Sequence, residues 1–429
     1  MEYDAINEYD LVYCEIRQQR ESGHDVGPAE QRLAALAPDD RSALLDLFDQ
    51  VACSPPLPGW AYHEPSALAD IVATLPPAVA EVPERLEDRI HGGWLGRVAG
   101  CMVGKPIEMG WTPTQAREYL LGAGGYPLRD YVPASDPPSR KLHWTWPTTT
   151  RDRIDGAVRD DDIDYSILGL LLYERCGAEL RTRDVADAWL SALPFRQTYT
   201  AERVAYRNLV SGVPLDEVGT FRNPYREWIG AQIRADIFGW THPGDPRAAA
   251  VASHTDARLS HVGNGIYGEM WAAALVAAAF VAPAAEQALR TSLAHIPPHS
   301  RLTAALTALV AVHDTGGTWQ DAIELIEREY GHHIWVHTIP NAAIIAAGML
   351  WGRDDFATTV GLTVQAGLDT DSNGATAGSV MGVLHGAAAL PPYLIDPLRD
   401  TVRSAVFGVE RTAISDLARR TAVLVSSRS

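Results

Sequence analysis

The stretch DRIHGGWLGRVAGCMVG, residues 88–104, decides the fold, because its glycines at positions 92, 96, 100 and 104 are spaced by four. The stretch GATAGSVMGVLHG, residues 374–386, repeats this spacing. On an α-helix, residues four apart form one ridge, so each set of glycines makes a groove without side chains, where another backbone can approach closely. Each interior glycine costs about 1 kcal/mol of helix stability relative to alanine. We therefore expect both helices to pack tightly and to fix the polar segments beside them.

Segments of helical length, rich in alanine and leucine, recur from Leu86 onward. Few segments show the alternation of a strand between turn signals, so the sequence predicts an all-α fold. The Pro- and Gly-rich residues 110–160 are interpreted as one long loop, of a kind that often forms the wall of a site. The predicted helices cover residues 88–102, 162–175, 185–193, 268–282, 284–294, 301–313, 319–330, 342–351, 355–366 and 374–389.

Residues 1–84 differ from the rest of the chain. They show helical patterns, but prolines at positions 55, 56, 58, 76 and 77 interrupt these patterns. We expect residues 1–84 to form a helical accessory region and residues 85–429 to form one all-α domain.

The charge and composition argue against several classes of protein. The formal net charge is -18 and Lys and Arg do not cluster, so a nucleic-acid-binding surface is not expected. Four cysteines without a CxxC pair indicate neither a zinc ribbon nor a disulfide framework, which favours a reducing, cytoplasmic location. The N-terminal sequence MEYDAINEYD lacks the apolar core of a signal peptide. The longest apolar run, residues 270–282, is shorter than the roughly 20 residues that cross a bilayer, so it predicts a buried helix and no membrane partner.

Two acidic segments carry the strongest chemical signal. The first, Arg159-Asp160-Asp161-Asp162-Ile163-Asp164, precedes an apolar helix, and the second, GLDTDSNG at residues 367–374, opens the second glycine-rich helix. Adjacent carboxylates repel one another, so each segment predicts either capping of a helix N-terminus or binding of a cation. If the two N-termini meet, their oxygens can surround one or two hard cations, and we prefer this interpretation. Oxygen ligands indicate Mg²⁺, with Mn²⁺ or Ca²⁺ as substitutes, rather than zinc.

Other motifs are weaker. GHHIWVH, residues 331–337, lacks the glutamate of a metalloprotease helix, so we expect its histidines to pack or to form hydrogen bonds in a loop. GCMVGKP, residues 100–106, has three residues instead of four between the glycines of a phosphate-binding loop, and a proline follows its lysine. The stretch SHVGNGIYGE, residues 260–269, places glycine N–H groups near a helix N-terminus, where they either bind phosphate or ribose or form an ordinary cap and turn.

Taken in order, the motifs of this chain resemble those of the ADP-ribosylglycohydrolase family. The resemblance spans about residues 85–390 and implies an all-α orthogonal multi-helix bundle, with a binuclear Mg²⁺ centre at the floor of a cleft that binds ADP-ribose. The motifs are DRIHGGWLGRVAGCMVGKPIE (residues 88–108), RDDDID (159–164), SHVGNGIYGEM (260–270), IPNAAIIAAGML (339–350) and GLDTDSNGATAGSVMG (367–382).

The resemblance also implies roles for individual residues. It places Glu108 close to the substrate and makes Asp161 and Glu108 the candidate catalytic residues. A water activated at the metal centre is expected to attack C1'' of the ribose, with the assistance of one of these two carboxylates. Departures at Asp160, Ile163 and Cys101, where the family has Thr, Thr and Asp, leave the number and kind of metal open. The implied metal ligands are Asp160, Asp161, Asp162, Asp369, Asp371 and Ser372. The implied ribose and phosphate contacts are Gly263, Asn264, Gly265 and Tyr267.

The expected activity is hydrolysis of the C1'' glycosidic bond of an ADP-ribosyl conjugate, on a protein side chain or on a small molecule. Two alternatives stay open. One is a hydrolase of another nucleoside or NAD derivative on the same fold, and the other is a non-catalytic relative that acts as a crystallin-like or ligand-binding protein. The presence of both aspartate motifs favours the enzyme.

Overall fold

The computed structural model, which describes residues 7–426, is built almost entirely of helices, and the all-α prediction is confirmed. The α-helices, in chain order, are α1 (Glu8–Glu21), α2 (Ala29–Ala34), α3 (Arg41–Ala52), α4 (Leu68–Val72), α5 (Leu86–Gly104), α6 (Pro113–Gly122), α7 (Trp146–Thr149), α8 (Asp161–Cys176), α9 (Thr182–Ala192), α10 (Thr200–Val210), α11 (Asp236–Thr241), α12 (Pro246–Ala257), α13 (Asn264–Ala279), α14 (Ala285–Ser292), α15 (Arg301–Asp314), α16 (Trp319–Tyr330), α17 (Thr338–Trp351), α18 (Phe356–Gln365), α19 (Thr370–His385), α20 (Pro392–Ile395) and α21 (Ile414–Ser426). Short 3₁₀ turns lie at Lys105–Ile107, Gly177–Glu179, Phe195–Gln197, Gln232–Arg234, Leu293–His295, Ala387–Ala389 and Asp396–Leu398. The antiparallel strands β1 (Val402–Arg403) and β2 (Arg411–Thr412) pair Val402 with Thr412 and Arg403 with Arg411.

Each helix predicted from Leu86 onward is present, with differences of up to four residues at its ends, whereas the sequence analysis missed α10, α11, α12, α20 and α21. The prediction of one uninterrupted loop over residues 110–160 is wrong, because α6 and α7 lie within it. A capping box starts α6: Thr112 Oγ1 accepts a hydrogen bond of 3.3 Å from the N–H of Gln115, and Gln115 Oε1 accepts one of 3.1 Å from the N–H of Thr112. Pro113 occupies the first turn, where its missing N–H costs nothing.

The first three helices pack on the rest of the chain through a small apolar cluster of their own. This cluster contains residues of α1, α2 and α3 together with Val204 of α10 and Trp228. An ion pair of 2.6 Å between Arg226 and the buried Glu15 adds a polar contact. The division into an accessory region, residues 1–84, and a domain, residues 85–429, stays a prediction, and residues 1–6 and 427–429 lie outside the described part of the chain.

The two glycine-rich helices, α5 and α19, run antiparallel with their backbones in contact. A Cβ atom on Gly96 would overlap the carbonyl oxygen of Gly378, and one on Gly100 would overlap the carbonyl oxygen of Gly374. Any residue with a side chain would push the helices apart at these positions. The predicted tight packing is therefore confirmed, and it brings the C-terminal end of α5 to the N-terminal end of α19.

Helix α13 runs through the large apolar core, and every residue from Asn264 to Ala279 is buried. The apolar run at residues 270–282 is thus part of the core, as predicted. Among residues 7–426, no helix combines the length and the hydropathy that a bilayer span requires.

Candidate functional site

The site is built where α5 ends and α19 begins. Thr370 Oγ1 donates a hydrogen bond of 2.8 Å to the carbonyl oxygen of Gly104, the last residue of α5. Lys105 follows directly, and its Nζ donates a hydrogen bond of 2.8 Å to Asp371 Oδ2. The glycine ridge thus sets the distance between the residues after α5 and the acidic segment that opens α19.

The N-terminal end of α8 lies at the same site. Asp160 caps α8, because its Oδ1 accepts a hydrogen bond of 3.0 Å from the N–H of Asp162. The fully buried Arg97 of α5 donates from Nε and Nη2 to the carbonyl oxygen of Asp162 at 2.9 and 2.6 Å, and from Nη1 to Asp236 Oδ2 at 2.5 Å. Ser372 Oγ of α19 donates to Asp162 Oδ2 at 3.1 Å. The structure therefore brings together the two acidic segments that the sequence singled out.

Lys105 lies at the centre of this cluster, and the sequence analysis did not anticipate it. Its Nζ lies 2.5 Å from Glu108 Oε2, 2.6 Å from Asp160 Oδ2 and 2.8 Å from Asp371 Oδ2. The side chain is almost fully buried. Burial opposes a charge on the amine, but the attraction of Asp160 and Asp371 outweighs burial, so the pKa of Lys105 lies well above its usual value. The amine is therefore a fixed cation inside the acidic cluster.

The carboxylates of the cluster outnumber its cations. Burial, followed by the charge of Asp160, raises the pKa of Asp162 well above its usual value, and burial followed by the charge of Asp371 does the same for Asp369. For Asp371, Lys105 outweighs burial and lowers the pKa. Four buried carboxylate oxygens of the cluster receive no hydrogen bond from residues 7–426: Glu108 Oε2 and Asp160 Oδ2, which form ion pairs with Lys105, and Asp162 Oδ1 and Asp371 Oδ1. A cation added between such oxygens would be stabilised.

The side chains of the cluster fit an oxygen-ligated metal ion. Two groups of carboxylates have ligand atoms within 4.8 Å of one another, and a third group adds the thiol of Cys101. Burial, followed by the charge of Asp160, raises the pKa of Cys101 well above its usual value, so this thiol keeps its proton and does not suit a hard ion. The groups are Glu108 with Asp369 and Asp371; Asp160 with Asp161 and Asp162; and Cys101 with Asp160 and Asp371.

Glu108 lies at the accessible side of the cluster, with His143 beside it. The Glu108 side chain is 22% exposed, and His143 Nε2 lies 3.8 Å from Glu108 Oε2. The N–H of Thr145 donates to His143 Nδ1 at 3.4 Å, so the proton of the neutral ring is on Nε2 and faces Glu108. Burial, helped by Lys105, lowers the pKa of His143 to about 4, which keeps the ring neutral at pH 7. Sequence reasoning missed His143, because it lies in the stretch that was interpreted as a loop and belongs to no motif.

Asp161 is half-buried in the first turn of α8, next to Arg159. Burial, followed by the charge of Asp160, raises the pKa of Asp161 to about 7, although Arg159 opposes this shift. Arg159 is held in turn by Asp164 Oδ2 at 2.7 Å and by the hydroxyl of Tyr199 at 3.3 Å. Asp161 and Glu108, the two predicted catalytic residues, are thus more accessible than the carboxylates between them.

The predicted substrate loop has its hydrogen bonds within the chain. The N–H of Gly263 donates to Ser66 Oγ at 3.0 Å, and the hydroxyl of Tyr267 donates to the carbonyl oxygen of Pro65 at 2.5 Å. Both partners belong to the segment that precedes α4. This part of the N-terminal region therefore covers the loop, and contact of Gly263 and Tyr267 with a ligand stays a prediction.

Asn264 and Gly265, the other two residues predicted to contact a ligand, lie beside Glu227 and Arg226. Asn264 donates from its N–H and from Nδ2 to Glu227 Oε1, each at 2.9 Å, and Gly265 packs against the carbonyl oxygen of Arg226. Arg301 Nη2 donates to both oxygens of Glu227 at 2.8 Å. Burial opposes the charge on Glu227, but Arg301 outweighs it and lowers the pKa of Glu227 below its usual range. The contacts of Asn264 and Gly265 thus satisfy the N-terminal end of α13, and their role toward a ligand also stays a prediction.

The histidines of residues 331–337 pack against α1. His333 Nδ1 lies 3.0 Å from Glu21 Oε2, and the His333 ring stacks on that of His337 with 4.1 Å between centroids. This arrangement agrees with the packing and hydrogen bonding that the sequence predicted for them.

Comparisons with known proteins agree with the fold. A family model described as ADP-ribosylglycohydrolase matches residues 82–428. A solved structure described as an "ADP-ribosylglycohydrolase-related protein complex" is similar to this chain with a TM-score of 0.50 and 19% sequence identity, and the match covers 81% of this chain and 100% of the other. At that identity the likeness shows the fold alone. Comparison with curated proteins gives no match.

Proposed function

This chain belongs to the ADP-ribosylglycohydrolase family, and we propose that it uses Mg²⁺ to hydrolyse the C1'' glycosidic bond of an ADP-ribosyl conjugate, on a protein side chain or a small molecule. The observation that carries the proposal is that Asp162 and Asp371, from the two acidic segments, each have a buried Oδ1 that receives no hydrogen bond from residues 7–426. Buried carboxylates without partners are costly unless a cation joins them. Oxygen ligands from two segments match the preference of Mg²⁺.

The proposed metal ligands come from the two helix N-termini. A bound Mg²⁺, for which Mn²⁺ or Ca²⁺ can substitute, supplies Lewis acidity, orients hydroxyl groups and lowers the pKa of water. Arg97 holds the backbone of Asp162, and Lys105 holds Asp371, so both ligand segments are positioned before the ion binds. The proposed ligands are Asp160, Asp161, Asp162, Asp369, Asp371 and Ser372.

Glu108 and Asp161 are the proposed catalytic carboxylates. Cleavage of a glycosidic bond passes through an oxocarbenium-like state, which needs a carboxylate near the sugar and a positioned water. Either carboxylate can take the proton of the attacking water, because both side chains are partly accessible. Lys105 and His143 contact Glu108 and set its orientation, and Arg159 limits the movement of the first turn of α8 through Asp164.

An activity assay on the full chain tests the proposal. ADP-ribosyl-arginine, ADP-ribosyl-serine and NAD are offered separately, and the release of ADP-ribose is followed with Mg²⁺, after EDTA, and after Mg²⁺ is restored. We expect turnover of one substrate that EDTA abolishes and Mg²⁺ recovers. Asp371→Ala should lose activity, while Asp39→Ala, at an exposed position of the N-terminal region, should keep it. Full activity of Asp371→Ala in EDTA would overturn the proposal.

The position of Lys105 also favours a second candidate function. Its amine neutralises part of the cluster, which suits a ligand-binding relative without activity. Binding of ADP-ribose without turnover of any of the three substrates would identify the ligand-binding relative.

A further inference from the structure

The amine of Lys105 occupies a position that a cation would otherwise take. Carboxylates from three separate elements approach it: Glu108 after α5, Asp160 before α8 and Asp371 in α19, all within 2.8 Å. The amine donates a hydrogen bond to Asp371 Oδ2 and forms ion pairs with Glu108 and Asp160. Lysine is almost never fully buried unless it is paired in this way.

The chain contains two lysines, and they differ completely in environment. Lys105 is 6% exposed and surrounded by carboxylates, whereas Lys141 lies at an exposed position. Because Lys141 is exposed and the remaining Lys and Arg positions all carry arginine, the buried ammonium of Lys105 is a specific feature of this site.

The remaining oxygens point to one further cation. Asp162 Oδ1 and Asp371 Oδ1 are buried and receive no hydrogen bond from the described residues, and the nearest basic group to Asp162 Oδ1, Arg97 Nη2, lies at 3.5 Å. Asp371 therefore contacts Lys105 through Oδ2, while its Oδ1 has no hydrogen-bond donor among the described residues. A carboxylate oxygen of Asp369 lies within 4.8 Å of oxygens of Asp371 and Glu108.

We propose that Lys105 replaces one of the two cations expected for this centre, so that the protein binds a single divalent ion, ligated by Asp162, Asp369 and Asp371. The proposal rests on the metal-dependent function proposed above and specifies the number of ions. A second divalent ion would have to share the oxygens of Glu108, Asp160 and Asp371 with a fixed positive charge, and the two cations would repel each other. The site thus keeps one permanent cation, the amine of Lys105, and one exchangeable ion.

Manganese binding to the full chain tests the number of ions. The chain is freed of metal with EDTA, titrated with Mn²⁺ by calorimetry, and examined by electron paramagnetic resonance. We expect one tightly bound Mn²⁺ per chain with the hyperfine pattern of an isolated ion. Lys105→Met should bind two ions with the spectrum of a coupled pair, and the matched control Lys141→Met should bind one. Asp371→Asn should lose the tight site, which separates it from ions bound to the acidic surface.

Each other outcome overturns the proposal in a distinct way. Two coupled ions in the unmodified chain would show that Lys105 moves aside, and the proposed metal-dependent activity would be unaffected. One ion in both the unmodified chain and Lys105→Met would show that Lys105 does not set the number. No tight binding to the unmodified chain would overturn this inference, and the activity assay in EDTA would then decide the proposed function separately. If Lys105→Met does not fold, the stoichiometry of the unmodified chain decides alone.

Discussion

Ser372 Oγ donates a hydrogen bond of 3.1 Å to Asp162 Oδ2, although 210 positions separate the two residues in the sequence. Asp162 lies in the first turn of α8 and Ser372 in the first turn of α19. Both turns are held against the end of α5, one by Arg97 and the other by the hydrogen bond from Thr370 to Gly104. The acidic cluster therefore depends on the packing of α5, which leads to the first prediction.

Replacement of Gly100 by alanine should destabilise the protein. The new Cβ would overlap the carbonyl oxygen of Gly374, and overpacking of this kind costs about 1–3 kcal/mol. Chemical denaturation of Gly100→Ala measures the loss. Gly122→Ala is the matched control, because its Cβ would meet nothing within 4 Å, and alanine at the end of α6 should leave stability unchanged or raise it by up to about 1 kcal/mol. Equal stabilities of the two variants would contradict the role of the glycine ridge.

Replacement of Arg97 by methionine should destabilise the protein more strongly. The change leaves the buried Asp236 without its ion pair and removes two hydrogen bonds from the carbonyl oxygen of Asp162, and loss of one partner of a buried pair costs about 3–5 kcal/mol. Denaturation of Arg97→Met measures this loss. Arg41→Met removes an exposed pair with Glu8 and should change stability by less than about 1 kcal/mol. A small effect of Arg97→Met would show that the pair does not hold α8 in place.

Stability should fall in acid partly because of Glu227. Arg301 lowers the pKa of folded Glu227 below the value of about 4.3 of an unfolded glutamate, so ionised Glu227 stabilises the fold above that pH. This contribution is lost as the pH falls from about 4.3 toward the lower folded pKa. Urea denaturation between about pH 5 and pH 3 should therefore show a weaker loss of stability for Glu227→Gln than for the unmodified chain. Glu84→Gln, at an exposed position, should keep the unmodified pH dependence, and an unchanged profile of Glu227→Gln would refute the assignment.

Glu108→Gln should reduce kcat by about 10²–10⁴-fold, the usual contribution of a general acid or base. The amide keeps the size of the side chain but cannot take the proton of water. Its kinetics are compared with those of Glu84→Gln, which should match the unmodified chain. A change confined to KM would instead assign Glu108 to substrate binding alone.

His143→Ala should reduce kcat less than Glu108→Gln does, because His143 contacts Glu108 at 3.8 Å and orients it. His143→Gln keeps an N–H group near Glu108 and should recover part of the loss. If both variants are as active as the unmodified chain, His143 has no positioning role.

Much of the fold could be predicted because its determinants are periodic. Four glycines spaced by four predict a close contact between backbones even when the partner helix is not known. The acidic segments could be placed because they lie at the N-terminal ends of strongly helical stretches. The start of α6 could also be predicted, since Thr112 and Gln115 form a capping box and Pro113 follows the cap. The prolines and glycines around this segment instead favour a loop.

The central residue of the site was not predictable from its surroundings. Lys105 lies in GCMVGKP, where no local pattern marks it as a partner of the acidic segments, and its partner Asp371 lies 266 positions away. In the same way, the sequence leaves open whether the loop at Gly263 binds a ligand or forms a cap and turn, and it does not reveal that the chain itself supplies Ser66 and Glu227 as acceptors. Such partners come from distant elements, so local patterns do not reveal them.

The central claim is that the segments at Asp162 and Asp371 bind a divalent ion together. Anomalous diffraction at the manganese absorption edge, from crystals of the full chain grown with Mn²⁺, tests it most directly. We predict a peak at coordination distance from carboxylate oxygens of both segments, with the amine of Lys105 beside it. A map without a peak at this place, or with a peak that only one segment contacts, would contradict the account.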